Sequence, residues 1–349
     1  MSHVAPVSVT RRTVEFHAGT KNLFFHILTQ CNLRCLHCYI DPDQHGRSVL
    51  GLSVMKEQLR LFANRFREPA DANVVFLGGE PTLNPDLPEA IREARRIGYR
   101  SITVDTNGFL FHDFLDRISP EDLDFLSFSL DGSCPDVNDR IRGEGVFRTC
   151  VKGIERAVAR GFSVSVIFTV SRLNLGDLSN MPGLLTDLGV TRFFIQVVGI
   201  RGRSAMESRK AGMDLQVPRS EWDAVVPVVA RHAARRGLLV TYPTVFLAPG
   251  VPFSCAGLVA ENYFVFPNGR VYRCPLCEDH PVHSLEIADG SLSERPPITE
   301  RELFPLRIPE GCVMNRILHP GNIPYGPDGE PTARIACCML KEEVRREDA

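Results

Sequence analysis

Between residues 22 and 240 two hydropathy patterns alternate. Short, nearly continuous apolar runs occupy 23–28 (LFFHIL), 73–79 (NVVFLGG), 101–106 (SITVDT), 125–132 (FLSFSLDG), 163–170 (SVSVIFTV) and 192–199 (RFFIQVVG). Longer stretches with apolar residues three and four apart fall at 53–66, 87–97, 111–118, 147–160, 177–188 and 220–236. The first kind reads as strands buried on both faces and the second as amphipathic helices, a strand–helix unit repeated six times. Such strands belong in a parallel sheet covered by its helices, and two closures are open, a doubly wound sheet or a barrel. In either one, chemistry is expected where strands end and loops begin.

Past residue 240 the pattern changes. Of the 25 prolines, 14 fall from Pro243 onward, and the periodic segments become short and interrupted. This predicts one domain over 22–240 and a loop-rich module over 245–349. Six of the eleven cysteines lie between Cys255 and Cys338 and suggest what holds so irregular a segment together.

The formal charge is -2, with basic residues scattered, which argues against capture of a nucleic acid or an anionic membrane and leaves a peptide or small molecule as the expected partner. No apolar run approaches the ~18 residues of a spanning helix, and the opening MSHVAPVSVTRR has no signal-peptide pattern, so a cytoplasmic protein is expected. Thiols stay reduced in that compartment, which turns the cysteines toward metal binding or catalysis. Isolated Cys134 and Cys150 read as structural.

Cys31, Cys35 and Cys38 have the spacing of one helix face, where they would be small buried groups. Their context argues otherwise. The segment leaves a strand directly, carries Asn32, Arg34 and His37, and runs into Asp41-Pro42-Asp43, which reads as loop. Thiolates favour iron–sulfur clusters or zinc, and three of them leave one corner of a four-iron cubane open. A structural zinc needs a fourth ligand, for which His37 is too close in sequence.

Cys31-x3-Cys35-x2-Cys38 after a first strand resembles the signature of the radical S-adenosylmethionine (radical SAM) superfamily. The resemblance implies a partial (β/α)6 TIM-type barrel and a [4Fe-4S] cluster on the three cysteines. It also implies S-adenosylmethionine chelated at the open iron and cleaved reductively to a 5'-deoxyadenosyl radical. That radical takes hydrogen from a peptide or small-molecule substrate, with a reducing donor such as flavodoxin or ferredoxin. His37 holds the position that packs near the adenine in relatives. Gly78-Gly79-Glu80 resembles the family's GGE element, which binds the methionyl amino group. A glycine pair permits close backbone approach, and a carboxylate accepts hydrogen bonds from an ammonium.

At later strand ends Asn107, Ser129, Asp131 and Asn174 are cofactor-contact candidates, with turn and cap roles as their alternatives. Arg172 and Gln196 are further candidates of this kind. The stretch NDRIRGEGVF (138–147) is similar to the branch of the superfamily that carries auxiliary clusters, and its Arg140 and Arg142 suit carboxylate partners.

In the module, runs at 263–266 and 270–272 flank Pro267-Asn268-Gly269 and read as a hairpin that brings Cys274 back toward Cys255. Cys255-x13-Gly269-x4-Cys274 resembles the opening of SPASM and Twitch extensions, without the cysteine-dense run that completes SPASM. A single auxiliary [4Fe-4S] cluster is therefore expected, on Cys255, Cys274, Cys277 and Cys337, with Cys312 as the substitute. Cys274-x2-Cys277 would also suit zinc. His280 and His283 read as surface loop residues. Candidate outcomes are peptide crosslinking or epimerisation, alcohol oxidation and tetrapyrrole decarboxylation. The roughly 30 residues before Cys31 are too few for a leader-peptide recognition domain, which weighs against the peptide outcomes. The competing reading is a non-catalytic zinc or iron–sulfur scaffold.

Overall fold

Seven strands follow one another in chain order as parallel neighbours: β1 (Lys21–Leu28), β2 (Ala72–Gly78), β3 (Ser101–Thr106), β4 (Phe125–Ser129), β5 (Val164–Val170), β6 (Arg192–Val197) and β7 (Leu239–Pro243). A doubly wound sheet reverses its strand order at a switch point, and this one never does, so the wrap is of the barrel type. The seventh strand had no counterpart among the six anticipated. The structure is a computed structural model and describes residues 19–41, 43, 46, 48–212, 214–278, 283–295 and 298–349. His280, Pro42 and the N-terminal stretch read for targeting lie outside these residues.

Helices α1 (Leu52–Phe66), α2 (Leu87–Ile97), α3 (Pro135–Arg142), α4 (Val146–Ala159), α5 (Met181–Asp187), α6 (Gly202–Ala211) and α7 (Arg219–Arg235) connect the strands. Their apolar stripes, such as Met55, Leu59, Phe62 and Phe66 of α1, close over the sheet in the main core. The helix expected at 111–118 does not form. Leu110, His112 and Asp113 adopt φ of 50, 56 and 50°, a left-handed backbone that cannot continue a right-handed helix, and only a 3-10 turn at Phe114–Asp116 remains.

The chain past 245 adds β8 (Phe246–Leu247), β9 (Glu261–Val265), β10 (Arg270–Tyr272), β11 (Leu285–Ala288), β12 (Ser291–Glu294), β13 (Arg334–Ile335) and β14 (Lys341–Val344). Strands β9 and β10 form the antiparallel hairpin around Pro267-Asn268-Gly269. This segment also covers both edges of the parallel sheet, β9 joining β1 in parallel and β14 joining β7 antiparallel. Buried Asn22 bonds Asn262 on one side (2.8 Å) and Asn73 on the other (3.0 Å), while Phe24 stacks on Phe264 at 4.3 Å. A register slip would leave the buried amides unpaired, so this ladder fixes β9 on β1. The sheet stays open, with β12 and β14 as its two ends. Among the described residues no helix is long and apolar enough to cross a membrane.

Candidate functional site

The three N-terminal cysteines sit in a loop that leaves β1, held at several points by the backbone. Leu36 N donates to Ile141 O at the end of α3, Ser204 N donates to Cys38 O, and Cys38 N closes a turn on Cys35 O. No helix forms over 31–38, so the thiols do not share a helix face. Cys31 Sγ accepts from Leu33 N (3.4 Å), and Asn107 Nδ2 approaches it at 3.9 Å. Burial pushes the free Cys31 thiol up to about 12 and that of Cys38 to about 11, so both stay protonated until a metal displaces the proton.

A cavity of about 660 Å³ opens beside this loop at the C-terminal ends of the parallel strands. Cys31, Cys35, Cys38 and His37 border it on one side, and Gly78, Gly79, Glu80, Asn107 and Ser129 on the other. The glycine pair is required by space. A Cβ on Gly78, whose φ is +138°, would lie 2.2 Å from Leu28 O, and one on Gly79 would lie 2.0 Å from Gln30 O. Those carbonyls accept from Gly79 N and Glu80 N, so β2 is pressed against the start of the cysteine loop by backbone alone.

Glu80 is fully buried. Its carboxylate accepts from Thr82 N (3.1 Å), Thr82 Oγ1 (2.6 Å), Thr106 Oγ1 (2.8 Å) and Asn107 N (2.7 Å). Burial raises its pKa and these bonds pull the other way. Glu80 thereby sets the turn after β3, whose Asn107 bonds Asn32 in the cysteine loop (2.8 Å).

Asp131 and Asn174 stand behind the cavity wall rather than in it. Asp131 pairs with Arg142 (2.6 Å) and His37 (3.1 Å) and accepts from Thr169 N (2.7 Å). Asn174 Nδ2 donates to Asp131 O and Thr169 O. Arg142, Arg172 and Gln196 border the cavity. His37 Nδ1 is buried and has no hydrogen-bond partner among the described residues.

All six later cysteines gather in one place. Cys255 meets Cys337, Cys274 meets Cys277, and the electrostatic influence of Cys274 and Cys337 reaches Cys312 and Cys338. Cys255, Cys277 and Cys312 belong to a second core with Phe264, Phe266, Tyr272 and Phe304, and Cys274 packs against it. Cys337 Sγ accepts from Ala256 N at 3.4 Å. Cys338 faces the large cavity. Among the described residues no group of three or more His, Cys, Asp or Glu side chains could hold a single metal ion. Cys150 is buried against Gly108, and His283 is buried rather than at the surface. Sequence reading missed Asp105, Arg201 and Lys341, which also face cavities and carry no local motif.

A family model for the Radical SAM superfamily matches residues 26–181. The chain is 26% identical over 273 residues to a probable GTP 3',8-cyclase of Saccharolobus islandicus (strain M.14.25 / Kamchatka #1), covering 76% of this chain and 85% of that protein. It is 29% identical over 207 residues to the Fe-coproporphyrin III synthase of Methanosarcina barkeri, covering 56% of this chain and 50% of that one. Among solved structures, SuiB of Streptococcus suis bound to S-adenosylmethionine superposes with a TM-score of 0.62 at 14% identity, over 75% of this chain. The chain spans 62% of SuiB's length, and at that identity the likeness concerns the fold.

Proposed function

We infer, for a chain that belongs to the radical SAM superfamily, that Cys31, Cys35 and Cys38 hold a [4Fe-4S] cluster and that S-adenosylmethionine lies along the strand ends from Gly78 to Ser129. One observation carries this reading: the three cysteines, the close-packed glycine step and His37 border one cavity. The residues suit the group. Three thiols leave an iron corner open, and buried His37 Nδ1, without a partner among the described residues, is free to meet a ligand. When bound, cluster and cofactor together supply reductive cleavage to a 5'-deoxyadenosyl radical.

The chain's own contribution is placement. Asp131 Oδ2, 3.1 Å from His37 Nε2, steadies the imidazole, the glycine step lets backbone approach the ligand, and Glu80 holds the Thr106–Asn107 turn that braces Cys31. Ser129 and Asn107 offer polar atoms at the neighbouring strand ends. The same reading makes the protein a cytoplasmic enzyme served by a donor such as flavodoxin or ferredoxin. Residues 245–349 form a Twitch-like module on the barrel domain 22–240, with a second [4Fe-4S] cluster on Cys255, Cys274, Cys277 and Cys337. Convergence of the thiols around one core supports that module. A small-molecule substrate is favoured over a peptide by the relatives named for GTP and coproporphyrin chemistry.

The test is the triple variant Cys31→Ala, Cys35→Ala, Cys38→Ala, reconstituted anaerobically and assayed with S-adenosylmethionine and a reductant. Formation of 5'-deoxyadenosine should cease, with loss of about four of about eight irons. Undiminished 5'-deoxyadenosine would overturn the reading.

A further inference from the structure

On the concave face of the sheet, deeper than the cysteine loop, lies a second cavity of about 610 Å³. Alternate residues of the strands form its wall, Thr103 and Asp105 from β3, Phe194 and Gln196 from β6, Lys341 and Glu343 from β14. The interior of a parallel barrel is ordinarily filled by layers of branched side chains at crystal-like density. A hollow of ligand size in that position, mainly apolar with a few charged side chains at its wall, is a binding site in form.

Its charged groups are not equivalent. Glu278 lies 3.8 Å from Arg201, whose guanidinium is stacked over Tyr39. Glu343 bonds Arg345 at 2.8 Å, and Arg192 is stacked over Phe125 at 4.6 Å. Asp105 and Lys341 remain. Lys341 Nζ stands 5.9 Å from the Phe194 ring centre, and among the described residues neither Asp105 nor Lys341 enters an ion pair within 4 Å, although each feels the other's charge across the cavity. Thr103 Oγ1, on the Asp105 wall, is buried with no hydrogen-bond partner among the described residues. Burial pushes the Asp105 carboxyl up to about 7 and the Lys341 ammonium down to about 8, their mutual attraction opposing both shifts, so an occupant carrying complementary charges between them would favour the charged form of each.

We propose that this lumen binds a zwitterionic small molecule of the α-amino-acid type, its carboxylate received by Lys341, its ammonium by Asp105 and its apolar body by Phe194, Phe264 and Phe266. The lumen shares Asp105, Leu77, Ile167 and Gln196 with the upper cavity, so its occupant lies next to the space assigned to S-adenosylmethionine. Calling the occupant the substrate rests on the radical reading; its binding does not. Lys341 reaches the lumen only because β14 closes onto β7, with Glu342 of that strand bonding Tyr242 (2.7 Å) and Thr244 (2.6 Å) on the other face. The C-terminal strand is thereby a specificity element.

The probes are phenylalanine, phenethylamine and 3-phenylpropionate, titrated calorimetrically into the anaerobically reconstituted full chain, with S-adenosylmethionine binding measured on the same samples. Phenylalanine should bind about tenfold or more tightly than either analogue. Lys341→Met should erase the preference over phenethylamine and keep that over 3-phenylpropionate, and Asp105→Asn should do the reverse, a crossover that a merely structural role would not produce. The comparison on the unaltered chain needs no variant and decides the matter even if a variant misfolds. Phenylalanine no tighter than either analogue overturns the proposal. Full discrimination without S-adenosylmethionine binding would uphold this site and overturn the radical reading instead.

Discussion

Asp131 Oδ2 lies 3.1 Å from His37 Nε2, so the imidazole beside the third cysteine is held by a carboxylate that follows the fourth strand. The same oxygen is 2.6 Å from Arg142 Nε, and both Asp131 and Arg142 are buried. Burial would raise the Asp131 carboxyl, but Arg142 and then His37 outweigh it and hold it at about 2. Arg142 in turn closes the helix whose Ile141 carbonyl anchors the cysteine loop. Charge pairing thus adds to the backbone hydrogen bonds that tie that loop to the barrel.

Asp131→Asn should therefore destabilise the fold by about 3–5 kcal/mol, since it leaves the buried Arg142 without a counter-charge. The wild-type carboxylate has a folded pKa below the ordinary 3.8. Its contribution is thus complete above about pH 4 and lost as pH falls through the folded value. At neutral pH the difference between the two proteins should not vary with pH. Denaturant midpoints check it, and a shift worth less than about 1 kcal/mol would show that the network does not hold the loop.

His26 gives the opposite kind of sensitivity. Burial, then Arg201, lowers its imidazole from 6.5 to about 3, and it packs on Phe266 at 4.3 Å. The unfolded chain takes up a proton that the folded one refuses, so this group's stabilisation is full above about pH 6.5 and declines as pH falls toward 3. Between about pH 6.5 and about pH 5.5 stability should drop by roughly 1 kcal/mol. His26→Phe, which cannot titrate, should flatten the profile; an unchanged slope would place the proton uptake elsewhere.

Much of this was legible beforehand because its signals are local. α2 runs over 87–97 as its apolar spacing predicts, and the cysteine, Gly-Gly-Glu and Asn-Gly stretches fall at strand ends because strand ends are where apolar runs stop. α6 went unseen because GRSAMESRKA has no apolar stripe; it packs through its N-terminal backbone against Cys38 and Ile40. The helix expected at 111–118 failed because three left-handed residues interrupt a sequence whose apolar spacing is helical. The pairings β9 with β1 and β14 with β7 join segments far apart in sequence, and the facing of Asp105 by Lys341 depends on them. No local pattern encodes a contact of that range.

Glu80→Ala should raise the dissociation constant for S-adenosylmethionine about 10-fold to 150-fold, the loss of one hydrogen bond to a charged group. The structure adds a second effect. Thr82, Thr106 and Asn107 N–H would lose their shared acceptor inside the protein, costing on the order of 1–3 kcal/mol of stability. Iron content should stay near normal, because no cysteine bonds Glu80. Calorimetry with an unaltered dissociation constant would leave Glu80 as a structural residue only.

Cys274→Ala tests the module. Cys274 stands at the start of the Pro275–Cys277 turn, against Cys277 and within the electrostatic reach of Cys337 and Cys312, so it is central to the thiol group. If a cluster forms there, the variant should lose about four irons and stop product formation, while uncoupled 5'-deoxyadenosine formation continues at the separate N-terminal cysteines. The fold should survive in part. β9 and β14 are fastened to the barrel edges by the asparagine ladder and by the Glu342 bonds, whereas the cysteine core between them has few regular elements and depends more on its metal. Limited proteolysis should accordingly cut between residues 275 and 340 and spare the barrel. Loss of β14 docking would carry Lys341 out of the lumen, so phenylalanine binding measured alongside separates a local loss of metal from a collapse of the edge strand. A folded Cys274→Ala protein with full iron and normal turnover would mean that these six thiols hold no second cluster.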